Sequence, residues 1–257
     1  MYCHRMEEMP PPILAALAEP LRWRLLVELA HSDRRVGELT ALLGKPQNLV
    51  SYHLAELRAV GVVEARRSSA DRRDVYYRAD LAACRDQLAA TAASLHPALH
   101  LPAGPTTHEG RGQNGPRVLF LCTGNSARSQ MAEALLVERS GRTIDARSAG
   151  SNPKPLHPAA VATMAARGVD ISTNASKHLG RFTGMRFDRV ITLCDRVRET
   201  CPDFPGAIAR AHWSIADPAA AEDPAAFGRV ADELEARIEI LIAELAAPAA
   251  ERTTHDR

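Results

Sequence analysis

The residues with the clearest chemical content are Cys122 and Arg128. They bracket a short loop in the run Val118-Leu119-Phe120-Leu121-Cys122-Thr123-Gly124-Asn125-Ser126-Ala127-Arg128-Ser129. An apolar stretch ends at the cysteine, five residues follow, and an arginine opens the next segment. With a strand before it and a helix after it, the loop Thr123 to Ala127 turns its backbone N–H groups inward and forms an anion cradle at a helix N-terminus. The same field favours a negatively charged sulfur on Cys122, as does an arginine nearby. Arg128 offers a planar fork for two oxygens of an oxyanion. Gly124 allows a turn that a side chain would hinder. Asn125 and Ser129 are placed to brace the loop, and Ser129 to hydrogen-bond the sulfur. The chemistry expected is attack by the Cys122 thiolate on a bound oxyanion. The plainer reading is a buried cysteine closing a core strand beside an unrelated arginine.

The elements around this loop alternate. Arg117–Leu121 reads as a buried strand, Ser129–Ser140 as a helix stopped by Gly141, and Thr143–Arg147 as a short strand. His157–Arg167 reads as a helix, Phe187–Leu193 and Ala207–Trp213 as strands, and the stretch from Asp223-Pro224 as a capped helix. The helix stripe there is Phe227, Val230, Leu234, Ile238, Leu241 and Leu245. Strand–helix alternation implies an α/β domain built on a doubly wound, four-stranded parallel sheet. His157 and His212 read as structural. The run LCTGNSARSQMAEALL resembles the signature of the low-molecular-weight protein tyrosine phosphatase fold, and within it the thioredoxin-coupled arsenate reductases. The resemblance runs from Arg117 to about Leu245. It takes in SAG at Ser148, GVDIS at Gly168, FDRVITLCD at Phe187 and HWSIADP at His212.

The resemblance implies arsenate reduction through a disulfide relay. Cys122 attacks the arsenic. Cys194 attacks Cys122, releases arsenite and forms a Cys122–Cys194 disulfide. Cys201 then attacks Cys194, leaving a Cys194–Cys201 disulfide for thioredoxin to reduce. The polar segment Asp195–Thr200 is expected to be mobile, so that the pair can close. Asp217-Pro218 corresponds to the general acid that protonates a leaving oxygen; Ala219 follows it, where the tyrosine phosphatases usually carry a tyrosine. The resemblance also implies a possible potassium ion at Asn125, Glu133, Ser148 and Asp170, all oxygen-bearing as a hard cation requires. No tightly bound cofactor is expected beyond that, with thioredoxin as electron donor. Two other readings use the same residues. One is a tyrosine phosphatase with a regulatory front end, needing Cys122 and Asp217 but not Cys194 or Cys201. The other is a non-catalytic regulator whose loop only senses an oxyanion.

The first part of the chain carries a different pattern. Leu21, Leu25 and Leu29 mark one helical face, and Val36–Leu43 is a short helix ended by Gly44-Lys45-Pro46. A helix from Gln47 to Ala59 turns Val50, Leu54 and Leu57 inward and stops at Gly61. Val62-Val63, a polar turn at Ser68–Arg73 and Val75-Tyr76-Tyr77 read as a β-hairpin, and Leu81–Leu95 as a closing helix. Across about Leu14 to Leu95 this resembles the ArsR/SmtB winged helix-turn-helix repressors, carried by Val36-Gly37-Glu38-Leu39, the Gly44-Lys45-Pro46 turn and QNLVSYHLAELRAVGVV. Gln47, Asn48, Ser51, Tyr52 and His53 are the expected base-edge and phosphate contacts, and Arg66, Arg67, Arg72 and Arg73 those of the basic hairpin. The resemblance implies operator DNA as partner and a homodimer formed through the first helix and Leu81–Leu95. Many arsenic-responsive members carry a cysteine pair in the helix before the recognition helix; Val36–Leu43 has none. Cys3 and Cys84 are the remaining candidates for arsenite sensing.

Composition fits two globular domains and excludes other classes. The chain has 257 residues, 46% hydrophobic and 25% charged. With 32 Lys+Arg against 31 Asp+Glu, no global basic field exists and any nucleic-acid surface must be local. The Pro/Gly-rich stretch 96–116 reads as a flexible linker between an ArsR-like DNA-binding domain at 1–95 and a reductase-like domain at 117–247, with a disordered tail at 248–257. No run of 18 apolar residues exists, and Met1–Pro12 lacks an apolar signal core. The expectation is a cytoplasmic protein with reduced thiols and no membrane partner.

Overall fold

A computed structural model describes residues 10–71, 73–96, 99, 115–200, 207–221 and 223–246. The chain divides into two compact units, each with its own hydrophobic core. Of the linker expected at 96–116 only His96, Leu99, Gly115 and Pro116 are described, and the tail at 248–257 lies outside the described residues.

The first unit is mainly helical. Helices α1 (Pro12–Leu17) and α2 (Pro20–His31) precede a two-residue strand β1 (Arg34–Arg35). Glu19 caps α2 by accepting the Arg22 amide at 2.7 Å, and Pro20 opens it where no amide donor is needed. Helix α3 (Val36–Leu43) ends at Gly44, whose φ of +61° supplies the left-handed turn into α4 (Gln47–Ala59). Strands β2 (Val63–Arg67) and β3 (Val75–Ala79) form the antiparallel hairpin, with β1 added on the other edge of β3, and α5 (Leu81–Leu95) follows. Leu25, Leu39, Val50, Leu54 and Leu57 are almost fully buried, so the helix faces legible as apolar stripes do meet in one core.

The second unit is α/β. Its elements are β4 (Arg117–Cys122), α6 (Arg128–Arg139), β5 (Asp145–Gly150), α7 (Pro158–Ala165), β6 (Phe187–Thr192), α8 (Asp195–Thr200), β7 (Ala207–His212) and α9 (Ala226–Ala246). The sheet order is β5-β4-β6-β7, all parallel. Every residue of Val118–Cys122 is buried, so both faces of the central strand are covered. Helices α6, α7 and α9 pack on one another, while α8 packs at β4 and β6. No described helix is long and apolar enough to cross a membrane.

Two elements differ from the sequence reading. The strand expected at Thr143–Arg147 runs instead from Asp145 to Gly150. Small residues Ser148-Ala149-Gly150 carry little strand propensity, yet they pair with Phe120, Leu121 and Cys122 and are fully buried. The segment Asp195–Thr200, expected to be a mobile polar stretch, forms helix α8, which Val197 anchors in the core.

Candidate active site

Cys122 is the last residue of β4 and Arg128 the first of α6, so the loop between them sits at the carboxyl end of the central parallel strand. Ligands of open α/β sheets bind at such ends. The Cys122 sulfur is buried and accepts the Asn125 amide N–H at 3.1 Å. Ser129 Oγ lies 2.9 Å from it. That hydroxyl already accepts from Asn125 Nδ2 at 2.9 Å, so its own proton is free for the sulfur. Two donors thus converge on one sulfur.

Asn125 organises the loop. It is fully buried and its φ is +46°, so the left-handed position falls on Asn125 and not on Gly124. Its Oδ1 accepts the Lys177 amide at 2.7 Å and Gln130 Nε2 at 3.2 Å, and its carbonyl accepts Ser176 Oγ at 2.7 Å. Its Nδ2 donates also to Ser148 Oγ at 2.8 Å. Gly150, which pairs with Cys122 in the sheet register, lets β5 approach this loop. A Cβ there would lie 2.5 Å from the Thr123 carbonyl oxygen and 2.9 Å from the Asn125 nitrogen. At Gly124 a Cβ would meet Ser126 Oγ at 3.0 Å and the Lys154 side chain at 3.7 Å, with no backbone atom among them.

Arg128 is almost wholly buried. Its Nη1 donates to the Ile215 carbonyl at 2.9 Å, and Nη2 meets Asp217 Oδ2 at 3.2 Å. Asp217 is half exposed at the head of a 3-10 turn, Pro218–Ala220, and accepts the Ala219 amide at 3.3 Å. The acid suggested by sequence is therefore brought to the arginine of the loop.

Cys194 follows the end of β6. It is buried, with its sulfur 3.1 Å from Thr123 Oγ1 and accepting the Val197 amide at 3.4 Å. A second thiol thus touches the residue next to Cys122. Behind it Asp195 is fully buried, accepting Ser214 Oγ at 2.6 Å and lying 3.1 Å from His212 Nε2. His212 is held in turn by Thr192, while His157 caps α7 and stacks on Phe227. Cys201 lies outside the described residues.

The four residues expected for potassium do not fit that ion. Asp170 is exposed and accepts the Ser172 amide at 2.8 Å. Glu133 accepts from Ser148 Oγ and faces the Lys177 ammonium, 3.0 Å from Oε2. Asn125 turns its donor nitrogen, not its oxygen, towards Ser148. A cationic side chain already stands where the carboxylate needs charge balance, and no oxygen cage is left. Asp170 is the residue the family resemblance implies; Lys177 and Gly150 carry no local sequence signal, because only the fold brings them to the loop.

In the first unit, Gln47, Asn48, Ser51 and Tyr52 are exposed along one side of α4. His53 is a correction: it is buried, 3.5 Å from Glu19, because it falls on the Val50–Leu54–Leu57 side of the helix. Arg67 and Arg73 are exposed on the hairpin, Arg66 is half-buried, and Arg72 lies outside the described residues. Cys84 is also a correction. It is buried in the core, and burial, aided by Asp80, pushes its thiol up to about 11, away from the thiolate that a soft metal needs. Cys3 lies outside the described residues, and among the described residues no cluster of three or more His, Cys, Asp or Glu could hold a metal ion.

A family model described as bacterial regulatory protein, arsR family, matches residues 19–65. One described as low molecular weight phosphotyrosine protein phosphatase matches residues 117–251. Proteins named arsenate reductase from Brevibacillus brevis and Halalkalibacterium halodurans are both 40% identical over 126 residues, covering 49% and 47% of this chain and 93% and 91% of theirs. A solved structure described as an arsenate reductase in the phosphate binding state is 32% identical, covers 51% of this chain and 98% of its own, and aligns with a TM-score of 0.47. With a parallel four-stranded sheet, a cysteine-to-arginine loop at its carboxyl edge and a family match over more than half of its length, the chain belongs to the low molecular weight phosphotyrosine protein phosphatase family.

Proposed function

We propose that the chain is an arsenate reductase joined to a DNA-binding repressor domain of the arsenic-resistance type. The observation that carries the reductase reading over a plain phosphatase is the 3.1 Å contact between the Cys194 sulfur and Thr123, the neighbour of Cys122. A phosphatase needs one thiolate, one arginine and one acid. A buried second thiol against the loop is what a reductase needs, and relatives 40% identical over nearly their whole length bear that name.

The Cys122 thiolate attacks arsenic(V), whose oxygens lie against the loop amides and Arg128. Asp217 protonates the departing oxygen, which leaves as water. Cys194 then attacks the Cys122 sulfur. The S–As bond breaks, its electron pair stays on arsenic, and arsenite leaves as a Cys122–Cys194 disulfide forms. Arsenic gains two electrons and two thiols lose them. Cys201 attacks Cys194, restores the Cys122 thiolate and presents a Cys194–Cys201 disulfide to thioredoxin. The exposed face of α4 and the basic hairpin bind operator DNA, as a homodimer, in the cytoplasm.

Arsenate-dependent NADPH oxidation in the presence of thioredoxin and thioredoxin reductase tests the reading. A rate that vanishes without thioredoxin and in Cys194→Ser is expected. Full turnover in Cys194→Ser, or hydrolysis of p-nitrophenyl phosphate with no arsenate turnover, overturns it in favour of a phosphatase.

A further inference from the structure

Behind the oxyanion loop a line of hydrogen bonds runs from a charged pair to the nucleophile. Lys177 Nζ lies 3.0 Å from Glu133 Oε2 and 3.4 Å from Oε1, with the side chains only 18% and 16% exposed. A carboxylate can only accept, so Ser148 Oγ donates its proton to Glu133. Ser148 must then accept, and it receives one Asn125 Nδ2 hydrogen at 2.8 Å. The other Asn125 hydrogen goes to Ser129 Oγ at 2.9 Å. Ser129 is left with one proton and one place for it, the Cys122 sulfur at 2.9 Å. The charge on Glu133 sets the direction of the Ser148 bond, and the Asn125 amide nitrogen, which can only donate, fixes the two bonds beyond it. The last member of the line is an O–H aimed at sulfur.

A half-buried carboxylate without a counter-charge is costly. The only cation in contact with Glu133 among the described groups is Lys177, whose backbone amide also holds Asn125 Oδ1. We propose that Lys177 is a built-in cation that takes the place of a bound alkali metal ion in this chain: its ammonium balances Glu133, which holds Ser148 and, through it, the Asn125 side chain that seats Ser129 against Cys122. Lys177 is a positioning residue; it touches neither the oxyanion nor the sulfur. The inference rests on Cys122 as the nucleophile and is independent of whether the oxyanion is reduced or hydrolysed.

Alkylation of Cys122 in the full-length reduced protein by iodoacetamide, followed by mass spectrometry, reads the sulfur without any turnover. It therefore stands even if the arsenate assay fails. In the unsubstituted protein, exchanging sodium for potassium at constant ionic strength leaves the rate unchanged. In Lys177→Met the rate falls by about tenfold, the lower end for loss of a group supporting a reactive centre. Potassium, more than sodium, restores part of it. Lys177→Arg keeps the original rate in both salts. Acceleration of the unsubstituted protein by potassium overturns the proposal, as does Lys177→Met reacting at the original rate. A fall in Lys177→Met that neither potassium nor arginine at this position reverses marks a general loss of structure and overturns it too.

Discussion

The Arg128 guanidinium meets the Asp217 carboxylate at 3.2 Å while its other terminal nitrogen is held by the Ile215 carbonyl. The oxyanion-binding arginine and the acid thus occupy each other before substrate arrives. Removing the charge of Asp217 should act on binding and chemistry in opposite directions. In Asp217→Asn the second guanidinium arm is freed for the oxyanion, so KM for arsenate should not rise. The proton donor is lost, so kcat should fall by about a hundredfold, the lower range for general acid catalysis. Steady-state kinetics with arsenate and thioredoxin measure both. A rise in KM with kcat unchanged would show Asp217 to be a binding residue.

Gly150 should not tolerate a side chain. The added Cβ in Gly150→Ala would stand 2.5 Å from a backbone carbonyl oxygen in a fully buried register with Cys122, so the loop itself must shift. A loss of about 1–3 kcal/mol is expected, in the range for overpacking. Cys122 alkylation should slow in parallel. Urea unfolding and iodoacetamide reactivity provide the two readouts. Gly124→Ala, facing a serine hydroxyl and the flexible Lys154 side chain, should be milder in both.

Cys84 should behave as a core residue. Its thiol is moved from its ordinary value of 9.0 to about 11, chiefly by burial. The folded form therefore holds its proton more tightly than the unfolded chain does. The resulting stability is fully present below pH 9, falls as the unfolded thiol ionises, and is lost as pH rises through about 11. Denaturant unfolding between pH 8 and 11 should show a downward slope that flattens in Cys84→Ala. At pH 8 the thiol should resist alkylation until the protein unfolds.

Tyr52 and His53 are neighbours with opposite fates. Tyr52 is 56% exposed, and His53 is 7% exposed beside Glu19. Tyr52→Ala and Gln47→Ala should each weaken operator binding by about 1–3 kcal/mol if they reach base edges, with little change in melting temperature. His53→Ala should do the reverse, lowering the melting temperature and leaving the affinity of the folded protein nearly intact. Fluorescence anisotropy with operator DNA, beside thermal unfolding, separates the two. Equal affinity losses for Tyr52 and His53 would contradict the burial difference.

Local features were legible in the sequence. The apolar run Val118–Leu121, the five residues to Arg128 and the helix stripe after it are contiguous, and backbone propensity alone turns them into strand, cradle and helix. The helix from Gln47 to Ala59 was readable for the same reason, and its apolar period of Val50, Leu54 and Leu57 needs no distant partner to be recognised. His53 is polar, yet it falls on the inner side of that period and is buried. What only the tertiary structure decided is which distant residues stand behind the loop. Parallel register sets Gly150 opposite Cys122, and the end of β6 beside β4 carries Cys194 to Thr123. Lys177 and Asp217 reach the same edge from segments that are far away in sequence. A parallel sheet gathers the carboxyl ends of its strands at one edge, whatever the lengths of the crossovers between them. The family resemblance grouped Asp170 with Glu133 at an ion site, whereas the fold sets Lys177 beside that carboxylate.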